Sequence, residues 1–247
     1  MTRGSVLVVE DVPEVRALVS TTLAGVGLGV RAVGTARECL AEVGAVQPDV
    51  IVLDRGLPDA DGTELCRELR SRTHAYVLMV STHADEVDVL VGLAAGADGY
   101  MAVPFSPREL AARVQAFLRR PVTGPVTSPT PAVPGATVAD RVTVRVPSAR
   151  TVLADLEVDD GAREVRVRGE VVPLTRTEFD LLHALASRPG RVLQRRTLLR
   201  EVWGSDWEGH LRLVEAHMSN LRRKLAAAGL EQPPIRTVRG VGYRLAA

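Results

Sequence analysis

The chain has 247 residues, 46% hydrophobic and 25% charged, with a net charge of +1. That length suits two ordinary domains, because a single core rarely grows past a few hundred residues. No apolar run approaches the roughly 18 residues that cross a bilayer, and the short apolar run after Met1-Thr-Arg-Gly4 has no small-residue cleavage site behind it.

A membrane span and a secretory signal are therefore not expected, and the cytoplasm is the expected location. Cys39 and Cys66 have neither metal nor redox spacing and read as reduced thiols. Charge is divided unevenly. Residues 1–121 hold 12 Arg against 16 Asp and Glu, residues 122–247 hold 19 Lys and Arg against 14, and the +1 resolves into −4 and +5. Such a split fits one half that meets a cation and another that meets a polyanion.

In chain order, near-continuous apolar runs at Val6–Val9, Gly29–Val33, Val50–Leu53, Tyr76–Val80 and Gly99–Ala102 alternate with segments of helical period. Runs of this length fit strands buried on both faces, with helices as crossovers. The prediction is an α/β fold, a five-stranded doubly wound parallel sheet over residues 1–121. Asp11, Thr35, Asp61 and Ser106 each precede a glutamate by three positions, the spacing of a capping box at four helix starts. From Pro121 a stretch rich in proline lacks periodicity, and residues 122–149 read as a semi-extended linker. Residues 150–247 then give short β-like pieces at 151–174, helices at about 176–187, 194–202 and 210–228, and a hairpin from Ile235 to Leu245 around Gly240 and Gly242. Three helices and a terminal hairpin describe an α+β winged helix-turn-helix domain.

Three acids collect where ligands gather in a doubly wound sheet, beyond the carboxyl ends of the strands. Glu10 and Asp11 follow the first strand, and Asp54 ends the third. Glu10 and Asp11 alone fit solvated helix caps equally well. Asp54 shifts the balance, because it closes an apolar strand instead of opening a helix. Converging carboxylates repel unless a cation lies among them, and oxygen ligands alone favour Mg2+. Such an ion aids transfer of a phosphoryl group to a carboxylate.

In the second half, helix 210–228 carries Arg212, His217, Asn220, Arg222, Arg223 and Lys224, while Leu213, Val214, Leu221 and Leu225 recur at core spacing. A solvated basic helix is the plain alternative. Its position, after another helix and before a hairpin bearing Arg236, Arg239 and Arg244, is that of a recognition helix. Arginine and lysine contact phosphates without regard to sequence, whereas asparagine pairs with adenine in the major groove. Arg239, at the glycine-rich tip, suits a minor groove.

Residues 4–120 resemble a response-regulator receiver domain. The resemblance is carried by Val8-Val9-Glu10-Asp11, Val52-Leu53-Asp54 with Pro58 and Gly62, Met79-Val80-Ser81, Gly96-Ala97-Asp98-Gly99-Tyr100 and Pro104-Phe105-Ser106-Pro107. Residues 150–247 resemble the winged-helix effector domain of the OmpR/PhoB type in Leu174-Thr-Arg-Thr-Glu178-Phe179, Val202-Trp203-Gly204, Val214 to Leu225 and Thr237-Val-Arg239-Gly240-Val-Gly242-Tyr243-Arg244. The resemblance implies a transcriptional regulator, not an enzyme. It makes Asp54 the phosphoacceptor, with Mg2+ held by Glu10, Asp11, Asp54 and the Gly56 carbonyl, Ser81 as the switch hydroxyl and Tyr100 as the aromatic that moves inward. The implied partners are a sensor histidine kinase, promoter DNA, RNA polymerase at Gly204 to Leu211, and a second copy of the chain. Trp203 is expected in the core.

The sequence departs from that pattern in three places. The family places lysine immediately before Pro104-Phe105, where this chain has Val103, and residues 1–121 contain no lysine. A lost charge-assisted contact to an anion costs roughly 1.5 to 3 kcal/mol. Thr82 stands where a small residue is usual. Glu109 and Arg113 match the face through which receivers pair, but Val89 and Gly99 replace their partners, and Val87 and Val91 add apolar surface. Two readings follow, a phosphorylated regulator with a weakened switch or a regulator that acts independently of phosphorylation through a more apolar pairing face. A metal-dependent phosphatase is disfavoured, because the acid it needs two positions after Asp54 is Gly56.

Overall fold

The order of strands in the first half decides which loop ends meet. In the computed structural model, which describes residues 4–82, 85–119, 150–204, 207, 210–230 and 232–246, that half runs β1 (Ser5–Val9), α1 (Pro13–Gly25), β2 (Gly29–Val33), α2 (Ala36–Ala45), β3 (Val50–Asp54), α3 (Gly62–Arg72), β4 (Tyr76–Ser81), α4 (Glu86–Ala94), β5 (Gly99–Ala102) and α5 (Pro107–Leu118). The predicted linker, 122–149, lies outside the described residues. The five strands are parallel in the order β2-β1-β3-β4-β5. All six residues of β4 are buried, which is why the central strands read as unbroken apolar runs. Because β1 and β3 are neighbours, their carboxyl ends bring Glu10 and Asp11 beside Asp54.

Two of the four expected caps form. The Thr35 hydroxyl accepts from the Glu38 N–H at 3.2 Å, and the Asp61 carboxylate from the Thr63 N–H at 2.7 Å. Asp11 does not cap α1, whose N-cap is Val12. Its carboxylate joins the acidic cluster instead, and Pro13 in the first turn has no N–H to satisfy. Ser106 sits at the N-cap of α5 without a side-chain bond. Asp85 caps α4 by accepting from the Asp88 N–H at 2.8 Å, a start the sequence reading passed over.

The second half runs β6 (Arg150–Leu153), β7 (Leu156–Asp159), β8 (Glu164–Val167), β9 (Glu170–Val171), α6 (Arg176–Ala186), β10 (Leu193–Gln194), α7 (Arg195–Trp203), α8 (Leu211–Ala227), β11 (Ile235–Val238) and β12 (Gly242–Leu245). β6 to β9 form an antiparallel sheet, and β10 joins the terminal hairpin in the order β10-β12-β11. A side chain at Gly242 would collide with the Leu193 carbonyl, so the close approach of β10 to β12 requires glycine there. A reciprocal capping box between Thr175 and Glu178 starts α6.

The two halves share one apolar cluster, which runs from Leu78 and Leu93 through Phe117 and Trp207 to Val214 and Leu221. α4 lies against α8. The Trp203 indole N–H donates to the Asp98 carbonyl at 2.8 Å, and the Asn220 amide donates to the Leu93 carbonyl at 2.9 Å. The Asp98 side chain is itself buried and meets the Arg70 guanidinium at 2.5 Å. Burial pushes that carboxyl up, but Arg70 and then the nearby His217 outweigh burial and hold it below the usual carboxylate range. No helix among the described residues is long and apolar enough to cross a membrane.

Candidate functional site

The acidic site is a cavity of about 550 Å3 at the carboxyl ends of β1, β3 and β4, whose walls include Glu10, Asp11, Asp54, Arg55, Ser81 and Val103. One carboxylate oxygen from each of Glu10, Asp11 and Asp54 lies within 4.8 Å of the other two. Burial pushes the Glu10 carboxyl up to about 7, opposed by the Val12 N–H and reinforced by Asp54 and Asp11. Asp54 is also raised, again chiefly by burial, with the Gly56 and Arg55 N–H groups pulling the other way. The Gly56 N–H reaches Asp54 Oδ2 at 3.0 Å.

Three acids converging in one recess, two of them with carboxyls raised chiefly by burial, form an oxygen donor set that favours positive charge among them. Hard oxygen ligands at this separation fit Mg2+. Ser81, at the end of β4, and Tyr100, on β5, are both buried. Tyr100 is therefore already turned inward, against Gly92 of α4. Val103 gives the cavity an apolar wall.

The residues expected on a DNA-facing surface do not share one surface. His217 and Asn220 are 0% and 5% exposed: Asn220 faces the first half through the Leu93 carbonyl, and His217 lies near Asp98 with its ring 5.4 Å from that of Trp203 in its own half. Arg222 bonds the Ile235 carbonyl at 3.0 Å and the Thr237 hydroxyl at 2.8 Å, so it fastens the hairpin to α8. Arg223 donates to the Asn220 side-chain oxygen at 3.1 Å, Lys224 lies 2.6 Å from the buried Glu178, and Arg212 lies 2.9 Å from Glu86 of α4. Arg236 and Arg239 are exposed along the hairpin. With Arg222 and Arg223, Arg236 lines an open cationic groove between α8 and β11.

Residues 6–115 match the family model described as response regulator receiver domain, and residues 169–245 match transcriptional regulatory protein, C terminal. The chain is 36% identical over 242 residues to the DNA-binding response regulator MtrA of Mycobacterium tuberculosis, covering 98% of this chain and 96% of that one. It is 39% identical over 246 residues to the transcriptional regulatory protein CseB of Streptomyces coelicolor, covering 98% and 97%. The chain belongs to the OmpR/PhoB family of two-component response regulators. A solved structure of a RitR mutant shares the fold, with a TM-score of 0.74, 24% identity and 98% coverage of both chains.

In this response regulator, the C-terminal half covers the part of the expected pairing face around Arg113 and Gly99, while Val87 and Val91 remain exposed. Trp207 is fully buried on that face, with the Arg113 guanidinium 4.4 Å above its ring and Phe117 5.5 Å away. Arg113 also meets Glu109 at 2.6 Å and His210 at 2.9 Å. Trp207 and His210 fall in the segment expected to face RNA polymerase, yet here they pack on the receiver. Sequence reasoning missed this cluster. Its one available signal was Gly99, whose lack of a side chain leaves room for the Trp207 ring.

Proposed function

We propose that this response regulator accepts a phosphoryl group on Asp54 and thereby exposes a DNA-reading surface in its C-terminal half. The observation that supports the reading is the burial of Asn220 of α8, whose amide donates to the Leu93 carbonyl of α4, the helix whose Asp88 is bonded to Arg55 of the acidic cavity. A change at the cavity has a short path to the reader. Residues 1–121 act as receiver, 122–149 as linker and 150–247 as effector.

In the receiver, Glu10, Asp11, Asp54 and the Gly56 carbonyl hold Mg2+, which when bound supplies positive charge that offsets the incoming phosphoryl oxygens. The Asp54 carboxylate is the nucleophile, and a sensor histidine kinase is the natural donor. Ser81, which lines the cavity, closes on the phosphoryl oxygen, and Tyr100 transmits the change along β5. On release, Arg212, Arg222, Arg223, Lys224, Arg236 and Arg239 contact DNA phosphates, whose electrostatic attraction weakens with salt. His217 and Asn220 add contacts at base edges. The freed receiver face pairs two copies on a tandem promoter site in the cytoplasm, and the segment Gly204 to Leu211 turns toward RNA polymerase.

One observation favours a second reading, a regulator that acts without phosphorylation. Val103 lines the cavity where the family's lysine would stand. The experiment that separates the two treats the full chain with a small-molecule phosphodonor and Mg2+, weighs it intact and measures its retention on promoter DNA. Added phosphoryl mass that vanishes in Asp54→Ala, with tighter salt-sensitive retention, is expected. No added mass at any dose, with DNA retention unchanged, replaces the first reading with the second.

A further inference from the structure

Among the described residues that line the acidic cavity, Arg55 is the one that carries positive charge. It directly follows Asp54, yet its guanidinium is engaged elsewhere. It is bonded to the Asp88 carboxylate in the first turn of α4 and to the Tyr100 hydroxyl of β5, with Asp61 Oδ2 3.9 Å from its Nε. Arg16 is the nearest rival by position, but its Nη1 is held by the Glu10 and Asp11 carbonyls at 2.6 and 3.1 Å, and it does not line the cavity.

The following inference rests on Asp54 being the acceptor. A phosphoryl group brings a charge of about −1.5 to −2 into the recess, on top of Glu10 and Asp11, and one divalent ion leaves the sum negative. Val103 contributes nothing to the balance. We propose that Arg55 supplies the missing cation in this chain, turning its guanidinium from Asp88 and Tyr100 onto the phosphoryl oxygens. The planar fork binds such oxygens in pairs, which a single ammonium does not.

The same movement explains how the cavity speaks to the effector. Asp88 and Tyr100 stand on α4 and β5, the elements that carry the contacts to the second half: Asn220 to the Leu93 carbonyl, Arg212 to Glu86, and Trp207 over Gly99. Withdrawing Arg55 removes a cross-tie between the end of β3 and the first turn of α4. The anion site and the docking face are thus joined through one side chain.

The test titrates the full chain with beryllium fluoride and Mg2+, following bound fluoride by 19F NMR and docking by the emission of Trp203 and Trp207. Wild type is expected to bind, and Asp54→Asn is not. Arg55→Gln should weaken binding about ten- to a hundred-fold, while Arg55→Lys retains part of the affinity. Asp88→Asn, which frees the guanidinium from its carboxylate partner, should strengthen binding several-fold. Opposite effects of the Arg55 and Asp88 variants cannot come from general damage to the pocket. Equal binding by wild type and Arg55→Gln, or weakening in both variants, overturns the proposal and leaves Asp54 as acceptor intact. A wild-type chain that binds Mg2+ but no beryllium fluoride overturns both.

Discussion

The Trp207 indole covers the backbone of Gly99, and a methyl group on that glycine would overlap the ring. An effector residue thus fits a receiver position only because that position has no side chain. Gly99→Ala should force the indole out of its place between Phe117 and Arg113. Overpacking of this kind costs about 1 to 3 kcal/mol, which shifts a docking equilibrium roughly 5- to 150-fold. The expected result is red-shifted tryptophan emission and stronger DNA retention without any phosphodonor. Unchanged emission and retention in Gly99→Ala would show that Trp207 does not hold the halves together.

Asn220 has two partners in the proposed cycle, the Leu93 carbonyl in the docked state and a base edge in the open one. Asn220→Ala removes a buried hydrogen bond of about 0.5 to 1.5 kcal/mol from the docked state, and about 1 to 3 kcal/mol of base discrimination from the open state. Binding to a scrambled duplex should therefore rise while preference for the operator falls. Gel-shift titrations on both duplexes at one salt concentration measure the two effects. If operator and scrambled affinities fall together, Asn220 is not part of the docking contact.

How much of this was legible in the sequence follows from how far each signal reaches. The strands were legible because a strand covered on both faces is apolar at nearly every position, as β3 and β4 are. Glu10, Asp11 and Asp54 were legible as a group because parallel strands fix where their carboxyl ends lie. The role of Asp11 as a helix cap was not, because a carboxylate at that spacing serves a cap or a cluster and only the fold decides which. Helical period placed His217 and Asn220 on a shared α8 surface but is silent about what covers it. The pairing of Trp207 with Gly99 joins residues from opposite halves, and no local pattern marks it.

His210 makes the docked state sensitive to acid. Its ring lies 2.9 Å from the Arg113 guanidinium and edge-on to Trp207 at 5.9 Å. Burial lowers its pKa below the usual 6.5 and Arg113 lowers it further, with Glu109 partly compensating. A histidine whose folded pKa is depressed contributes fully above the unfolded value and loses that contribution as pH falls through the folded one. Docking should then be tight above about pH 6.5 and loosen progressively below it. Tryptophan emission followed from pH 7.5 to 5.5 checks this, and His210→Gln should flatten the response. A profile identical in wild type and variant assigns the pH dependence to another group.

Glu10 sets the opposite slope in the receiver. Its carboxyl is raised from 4.5 to about 7, mainly by burial and then by Asp54 and Asp11 against the Val12 N–H. In the metal-free chain the folded state therefore holds a proton that the unfolded chain releases, and stability from this group is complete below about pH 4.5 and is lost as pH rises through about 7. Mg2+ requires the ionised carboxylate, so proton and metal compete, and the gain in Tm on adding saturating Mg2+ should be larger at pH 8 than at pH 6. Glu10→Gln removes the ionisable group, so the metal-free protein should lose this part of its pH dependence and gain little from Mg2+ at either pH. Differential scanning calorimetry with Mg2+ or with a chelator measures all four conditions. Equal gains at pH 6 and pH 8 in the wild type would remove Glu10 from the metal site, because a ligand that is half protonated near neutrality cannot bind the ion equally well on both sides of its own titration.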